Sequence, residues 1–253
     1  MKIHFKLVVL ISLLIVASCG GGNNASNNRV TGSRATPGAA QGVYQGTTSN
    51  NYAFEGIVLP NDKLYAIYGT KDTNGFLVYG LMIGQGTSMS DGKFNGTYMN
   101  YTYTGTSKAG TLNGNYAAGN LSGSYTENGS TYTLTSSAMS STEFNYNTPS
   151  SLSQLAGIWA GTALDGTAES FTVNADGSFS GSVEGCTVTG TAVPDSAKNF
   201  FNITVNFGSS PCGTPNQSAT GIALTYLQSD GVHRQLLVAA SNNSMATLFI
   251  AER

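Results

Sequence analysis

Catalytic chemistry needs residues that this sequence supplies sparingly. Of its two histidines, His4 lies in an apolar leader and His233 stands beside an Asp-Gly turn signal. His233 is therefore the one histidine available for a Ser-His-Asp triad, and a zinc site with several histidine ligands lacks its other ligands. Thirteen acidic residues are present, but no spacing singles out two of them as the carboxylate pair of a glycosidase. We expect a protein that is not an enzyme and binds no metal.

Tyrosine is the residue type whose distribution points to binding. Twelve of the 13 tyrosines lie within residues 44–146. Exposed tyrosines are frequent anchors in protein and glycan recognition, because a large ring carries a polar tip. Strand alternation places Tyr101 and Tyr103 on one face and Tyr98 on the other. The alternative is that these phenols ring a barrel rim and bind nothing. The candidate binding surface comprises Tyr98, Tyr101, Tyr103, Tyr116 and Tyr125.

Two of the three cysteines, Cys186 and Cys212, form a candidate disulfide. Cys186 begins the run CTVTGTAV, and Cys212 follows the run FFNITVNF. If these two runs pair around residues 194–198, the cysteines meet near the open end of one hairpin. Disulfides are common in exported proteins, so we predict this bond rather than two free thiols or a metal site.

The elements that must position these residues are short β-strands. Each half of the chain divides into about eight strand-like runs separated by turn residues. Asp-Gly and Asn-Gly pairs, as at residues 91–92 and 128–129, predict hairpins because these residues accept a positive φ. No stretch shows a convincing helical period. The sequence predicts an all-β chain with two tandem small antiparallel meander barrels, a form that leaves no open sheet edge.

A change of composition at NTPSS separates two domains, residues 42–147 and 148–253. They begin alike, with GVYQGT and GIWAGT, which indicates a weak internal duplication.

Residues 1–18 are a predicted signal peptide. Its apolar core is shorter than the roughly 20 residues that a helix needs to span a membrane. Residues 19–41 are rich in Gly, Asn and Ser and are predicted to form a flexible tether.

A glycine between two large residues recurs in FNGTY at 94–98, LNGNY at 112–116 and LSGSY at 121–125. A glycine on the packed face of a small barrel relieves crowding and permits the strand to coil tightly. We therefore expect these glycines inside the barrel, with flanking rings leaning over the gap. The alternative is a ligand-facing groove in which glycine permits close backbone approach.

The segment VASC at residues 16–19 resembles the bacterial lipobox. The resemblance implies cleavage before Cys19, a diacylglyceryl thioether on its sulfur and acylation of the new amino terminus. Several acyl chains on one residue give stable anchoring. Because Gly20 stands where aspartate signals inner-membrane retention, the resemblance implies the outer membrane. We favour the cell surface over the periplasmic leaflet, and we expect no cofactor besides this lipid.

The chain combines a lipobox-like segment with two tandem strand-rich segments, the first of which carries the glycine repeat. This arrangement resembles the β-barrel domains of transferrin-binding protein B and related surface lipoproteins. In those relatives packed barrels display loops toward a host protein; transferrin binding itself is not implied. The second half resembles a domain of uncharacterised proteobacterial lipoproteins. Its Gly157-x-Trp159 start also looks like the first strand of lipocalins, in which a late arginine covers the tryptophan. Arg253 is the candidate for that cation–π contact.

The charge balance argues against nucleic acid as a partner. Without residues 1–18 the chain keeps nine basic and 13 acidic residues, which gives a net charge of −4, and it has no basic cluster.

The predicted function is that of a non-enzymatic, lipid-anchored outer-membrane module, which binds or displays a protein or glycan ligand at the cell surface. Two alternatives remain: a lipocalin-like carrier of a small apolar ligand in the Trp159 domain, and a periplasmic structural lipoprotein.

Overall fold

In the computed structural model, β-strands dominate the described residues, which are 34–72, 75–117, 119–227, 232–242 and 244–253. The predicted signal peptide, Cys19 and the tether up to residue 33 lie outside this part of the chain. The prediction of an all-β chain with two tandem eight-stranded antiparallel barrels is confirmed. No helix within the described ranges is long and apolar enough to cross a membrane.

Barrel 1 is a meander in which each strand pairs with the next and the last closes onto the first. Its turns use the expected residues, since Asn128 and Gly129 have φ of 51° and 78°. We call the end that holds the β1–β2, β3–β4, β5–β6 and β7–β8 connections the mouth, and the opposite end the base. The strands are β1 (Gly42–Thr48), β2 (Ala53–Val58), β3 (Lys63–Asp72), β4 (Gly75–Ser88), β5 (Lys93–Thr102), β6 (Ser107–Ala117), β7 (Asn120–Glu127) and β8 (Ser130–Ala138).

Barrel 2 repeats this topology, and its last strand closes onto its first. A single-turn helix, α1 (Leu152–Leu155), precedes it and was not predicted, because four residues are too few to show a helical period. The strands are β9 (Gly157–Ala163), β10 (Ala168–Val173), β11 (Ser178–Val183), β12 (Cys186–Pro194), β13 (Phe201–Phe207), β14 (Ser218–Leu227), β15 (Arg234–Ser241) and β16 (Ala246–Glu252).

Glycines make room for aromatic rings and for neighbouring strands inside both barrels. Tyr98 pairs directly with Gly110, where an added Cβ would lie 2.2 Å from the Tyr98 ring. Phe179 covers its partner Gly190 in the same way, at 2.3 Å. At Gly123, in the repeated motif, an added Cβ would lie 2.1 Å from the Asn113 carbonyl oxygen of the preceding strand, β6. The glycines therefore relieve crowding in small barrels.

The segment before β1 closes the base of barrel 1. Ala40 is 1% exposed and accepts a hydrogen bond from the Tyr44 hydroxyl at 2.8 Å. The buried Asp62 carboxylate accepts hydrogen bonds from the Gly38 amide at 3.0 Å and the Ser88 hydroxyl at 2.6 Å. The prediction of a flexible tether is therefore wrong for residues 34–41, where the Gly38 amide donates to the buried Asp62 carboxylate and the Ala40 amide to the buried Ser88 hydroxyl.

The two barrels share a buried face. Outward-facing residues of barrel 1, among them Ile57 and Leu81, form one apolar cluster with Ile222 and Leu248 of barrel 2. Both Leu81 and Leu248 are 1% exposed. Strands β2 to β4 therefore carry apolar residues on both faces, one toward the barrel interior and the other toward the second barrel.

Candidate functional site

The structure corrects the predicted binding surface. Tyr98 and Tyr125 are only 4% and 7% exposed and belong to the core of barrel 1, so their prediction as surface residues is wrong. Tyr116 is half-buried, and its hydroxyl donates a hydrogen bond to the Met89 carbonyl at the base. The cause is strand alternation, since each of these tyrosines follows an inward-facing glycine by two positions and so points into the same interior.

The other two predicted tyrosines lie outside the barrel interior. Tyr101 is half-buried and packs against the cluster shared by the two barrels. Tyr103 is 54% exposed in the β5–β6 turn, at the mouth of barrel 1. Of the five predicted residues, Tyr103 is therefore the one that presents most of its ring to solvent.

Tyr103 ends a line of rings that we call the tyrosine row: Tyr103, Tyr79, Tyr52 and Tyr68. Successive ring centroids are 5.9, 5.8 and 5.5 Å apart. These spacings are those of favourable aromatic pairs, which contribute about 0.5–1.5 kcal/mol each beyond area burial. The row runs across the mouth from the solvent-exposed Tyr103 to Tyr68. Tyr68 lines an apolar cavity inside barrel 1, which is described below.

A β-bulge places Tyr79 in this row. Tyr68 pairs with Gly80, but the next residue, Gly69, pairs with Val78, so Tyr79 has no partner across the ladder. The Tyr79 carbonyl accepts a hydrogen bond from the Tyr103 amide at 3.0 Å. A bulge bends its strand and redirects the side chain. The sequence carries no distinct signal for this register shift, which is why Tyr79 was not predicted. Tyr52 and Tyr68 join the row through ring contacts between residues far apart in sequence, which no local pattern marks.

An open groove of about 600 Å³ lies beside the tyrosine row on the outer wall of barrel 1. Thr70 joins the two features, because it lines the groove and its hydroxyl donates to the Tyr79 phenol oxygen at 3.2 Å. Within the groove Lys71 and Glu55 form an ion pair of 3.7 Å. Burial raises the pKa of Glu55, and Lys71 opposes that shift. Hydroxyl and amide groups on this wall are suited to hydrogen bonding with an extended ligand.

Barrel 1 also encloses a cavity of about 80 Å³ with an almost wholly apolar wall. Met82, Leu112 and Tyr98 are among the residues that line it. The Tyr98 hydroxyl is buried and forms no hydrogen bond with the described part of the chain. Burial, with the negative charge of Glu127 nearby, raises the pKa of Tyr98, so this phenol stays protonated.

The Trp159 domain is plugged by its own side chains. Trp159 is 0% exposed, and its indole N–H donates to the Leu155 carbonyl at 2.7 Å. The Arg253 guanidinium lies over the ring, 4.1 Å from its centroid, and donates to the Ala156 carbonyl at 2.6 Å. Phe171 and Phe249, with ring centroids 4.9 Å apart, are packed in the same core. The structure thus places Trp159 and Arg253 in a packed end of barrel 2.

The predicted disulfide is confirmed. Cys186 and Cys212 are bonded, with an S–S distance of 2.04 Å and a Cα–Cα distance of 4.5 Å. Strands β12 and β13 pair from Pro194 with Phe201 to Val188 with Phe207, so the cysteines meet beyond the open end of this hairpin. The bond ties the β13–β14 loop to the start of β12.

Titratable side chains are dispersed in both barrels. No group of three or more His, Cys, Asp or Glu side chains in the described ranges is close enough to hold a metal ion. His233 Nδ1 lies 4.0 Å from Glu252 Oε1, and both side chains are largely exposed. Burial, reinforced by the charge of Asp165, raises the pKa of Glu169 to about 7.

Comparison with known proteins gives no relative. No protein-family model matches the chain, and neither the curated proteins nor the solved structures contain a significant match. The resemblances to transferrin-binding protein B, to proteobacterial lipoprotein domains and to lipocalins therefore stay predictions, and the site is interpreted from its own residues.

Proposed function

We propose that this chain is a non-enzymatic binding module anchored by lipid to a bacterial outer membrane. It displays the mouth of barrel 1 at the cell surface, and the mouth binds another protein. The anchor is Cys19 of the lipobox-like segment, which lies outside the described residues. The observation that carries the binding proposal is the pair of exposed apolar side chains at the mouth, Leu77 and Tyr103, which are 62% and 54% exposed.

The geometry of the mouth favours a protein over a glycan. Rings of the tyrosine row are tilted by 43° to 82° from one another, so they offer no flat platform for stacking a sugar. Leu77 lies two residues before Tyr79 on β4 and adds an aliphatic anchor. A few such buried anchors commonly supply most of the binding energy of a protein interface. The neighbouring groove provides the polar rim.

Barrel 2 is proposed to act as the support. Its interior is packed around Trp159, and the disulfide ties down its longest loop, β13–β14. One part of its outer face is buried against barrel 1. A rigid support keeps the mouth in one conformation, which lowers the entropic cost of binding.

The Leu77→Ser/Tyr103→Ser double variant is expected to lose the partner. Both positions are exposed, so the fold should be retained, while each lost anchor costs binding energy. Partners captured from cell envelopes and culture medium by the wild-type protein would be identified, and their Kd measured. We expect the double variant to bind at least about tenfold more weakly, equivalent to about 1.4 kcal/mol.

Ile158→Ser is the matched control, because Ile158 is an apolar side chain 67% exposed on barrel 2. It should bind like the wild type. Equal loss in the control and the double variant, or full retention in both, would contradict a binding site at the mouth. Binding to a glycan array that disappears in the double variant would place the site correctly but refute a protein partner.

A further inference from the structure

The cavity of barrel 1 contains a polar group that its surroundings leave unsatisfied. Tyr98 is 4% exposed, lines the cavity, and its hydroxyl has no hydrogen-bond partner among the described residues. Other tyrosines of the cavity wall differ in this respect. The Tyr44 hydroxyl donates to the Ala40 carbonyl and the Tyr125 hydroxyl to Asn50 Oδ1, at 2.8 and 3.0 Å. A buried polar group without a hydrogen-bond partner lowers the stability of the fold, so a ligand that supplies the partner is favoured.

A second unsatisfied atom lies on the same strand. Asn100 is two residues from Tyr98 on β5, so both side chains point into the barrel, and Asn100 is 4% exposed. Its amide nitrogen donates to Glu127 Oε2 at 2.9 Å, but its oxygen accepts no hydrogen bond from the described residues. The barrel interior therefore presents a phenolic donor on the cavity wall and, two residues farther toward the mouth, an amide acceptor on the same face of β5.

We propose that barrel 1 binds a small aliphatic alcohol, whose hydroxyl group accepts a hydrogen bond from Tyr98 and donates one to Asn100. A hydroxyl is the simple group that accepts and donates at once. The apolar part occupies the cavity, whose wall includes Met82, Leu112 and Leu121. This site is separate from the protein-binding surface proposed for the mouth and does not depend on it.

The size of the cavity limits the ligand. A cavity of roughly 150 Å³ holds benzene, so the 80 Å³ in barrel 1 suits a group of only a few carbon atoms. Tyr98 and Asn100 lie in the half of β5 nearer the mouth, whereas Val58 and Leu64, near the base, line the other end of the cavity. The occupant is therefore an aliphatic alcohol whose chain points toward the base.

The test uses 1-butanol as the probe and its isomer methyl propyl ether, which lacks the O–H donor. Methyl resonances of Met82 and Leu112 report on the cavity, and those of Leu236, which is 2% exposed in barrel 2, serve as the internal control. We expect 1-butanol to shift the cavity methyls alone and to bind more tightly than the ether. Tyr98→Phe keeps the ring over Gly110 and should weaken 1-butanol binding about three- to tenfold.

Absence of shifts at Met82 and Leu112 would overturn the proposal, and so would equal 1-butanol affinity in the wild type and Tyr98→Phe. Either result would mean that Tyr98 and Asn100 do not hold an alcohol in the cavity. The Leu77→Ser/Tyr103→Ser variant should titrate with 1-butanol like the wild type, because its substitutions are exposed at the mouth. Failure of the protein-binding proposal and failure of the cavity proposal are therefore distinguishable.

Discussion

Replacing Trp159 with alanine is expected to lower the free energy of unfolding by about 3–5 kcal/mol, the largest effect of any single substitution proposed for this chain. Trp159 is 0% exposed at the centre of the barrel 2 core. Its removal leaves a cavity, deprives the Leu155 carbonyl of its indole donor and takes the ring from beneath the Arg253 guanidinium. All three losses occur in the one substitution, because the same ring fills the core, donates to Leu155 and lies under Arg253.

Urea unfolding followed by far-ultraviolet circular dichroism measures this change, since the variant has no tryptophan left for fluorescence. Ile158→Ala is the matched control: the neighbouring residue is 67% exposed, so its truncation should change the free energy of unfolding by less than about 0.5 kcal/mol. A cost below about 1 kcal/mol for Trp159→Ala would mean that barrel 2 is not packed around this ring.

Removal of the Cys186–Cys212 disulfide is expected to cost about 3.5 kcal/mol. The bond joins residues 26 apart in sequence, and the chain-entropy relation for a loop of that length gives about this loss, through the greater freedom of the unfolded chain. Because the bond ties the β13–β14 loop to the start of β12, its loss also frees this end of barrel 2.

The Cys186→Ser/Cys212→Ser variant and the wild type treated with a reductant should show the same lowered midpoint of thermal unfolding. The reductant should leave the double variant itself unchanged, which controls for effects elsewhere in the chain. If reduced and oxidised wild type unfold at the same temperature, the bond makes no contribution to stability.

Strand alternation and hairpin chemistry predicted much of the fold from the sequence. In β13, Phe201, Ile203 and Val205 point into barrel 2 while Asn202 and Asn206 face solvent, as their order implies. The same reasoning paired β12 with β13 and so brought the two cysteines together. Such features depend on residues close in sequence, which is why one sequence suffices to predict them.

Features that depend on distant residues were missed or mistaken. The Asp62 carboxylate binds Gly38 and Ser88, and no local pattern marks either partner. The shared face of the barrels brings Leu81 of β4 together with Ile222, which lies far away in sequence in β14. The alternating pattern placed Tyr98 on the face opposite Tyr101, but it could not say which face was the interior.

Surface display of barrel 1 is tested most directly by protease treatment of intact cells, followed by blotting with an antibody to barrel 2. The proposal predicts that the cell-associated signal disappears without opening of the outer membrane, because cleavage between Cys19 and the barrels releases them. A Cys19→Ala variant, which cannot be acylated, should give no anchored signal at the start. Protection of the wild-type protein until the outer membrane is opened would contradict surface display and favour a periplasmic structural lipoprotein.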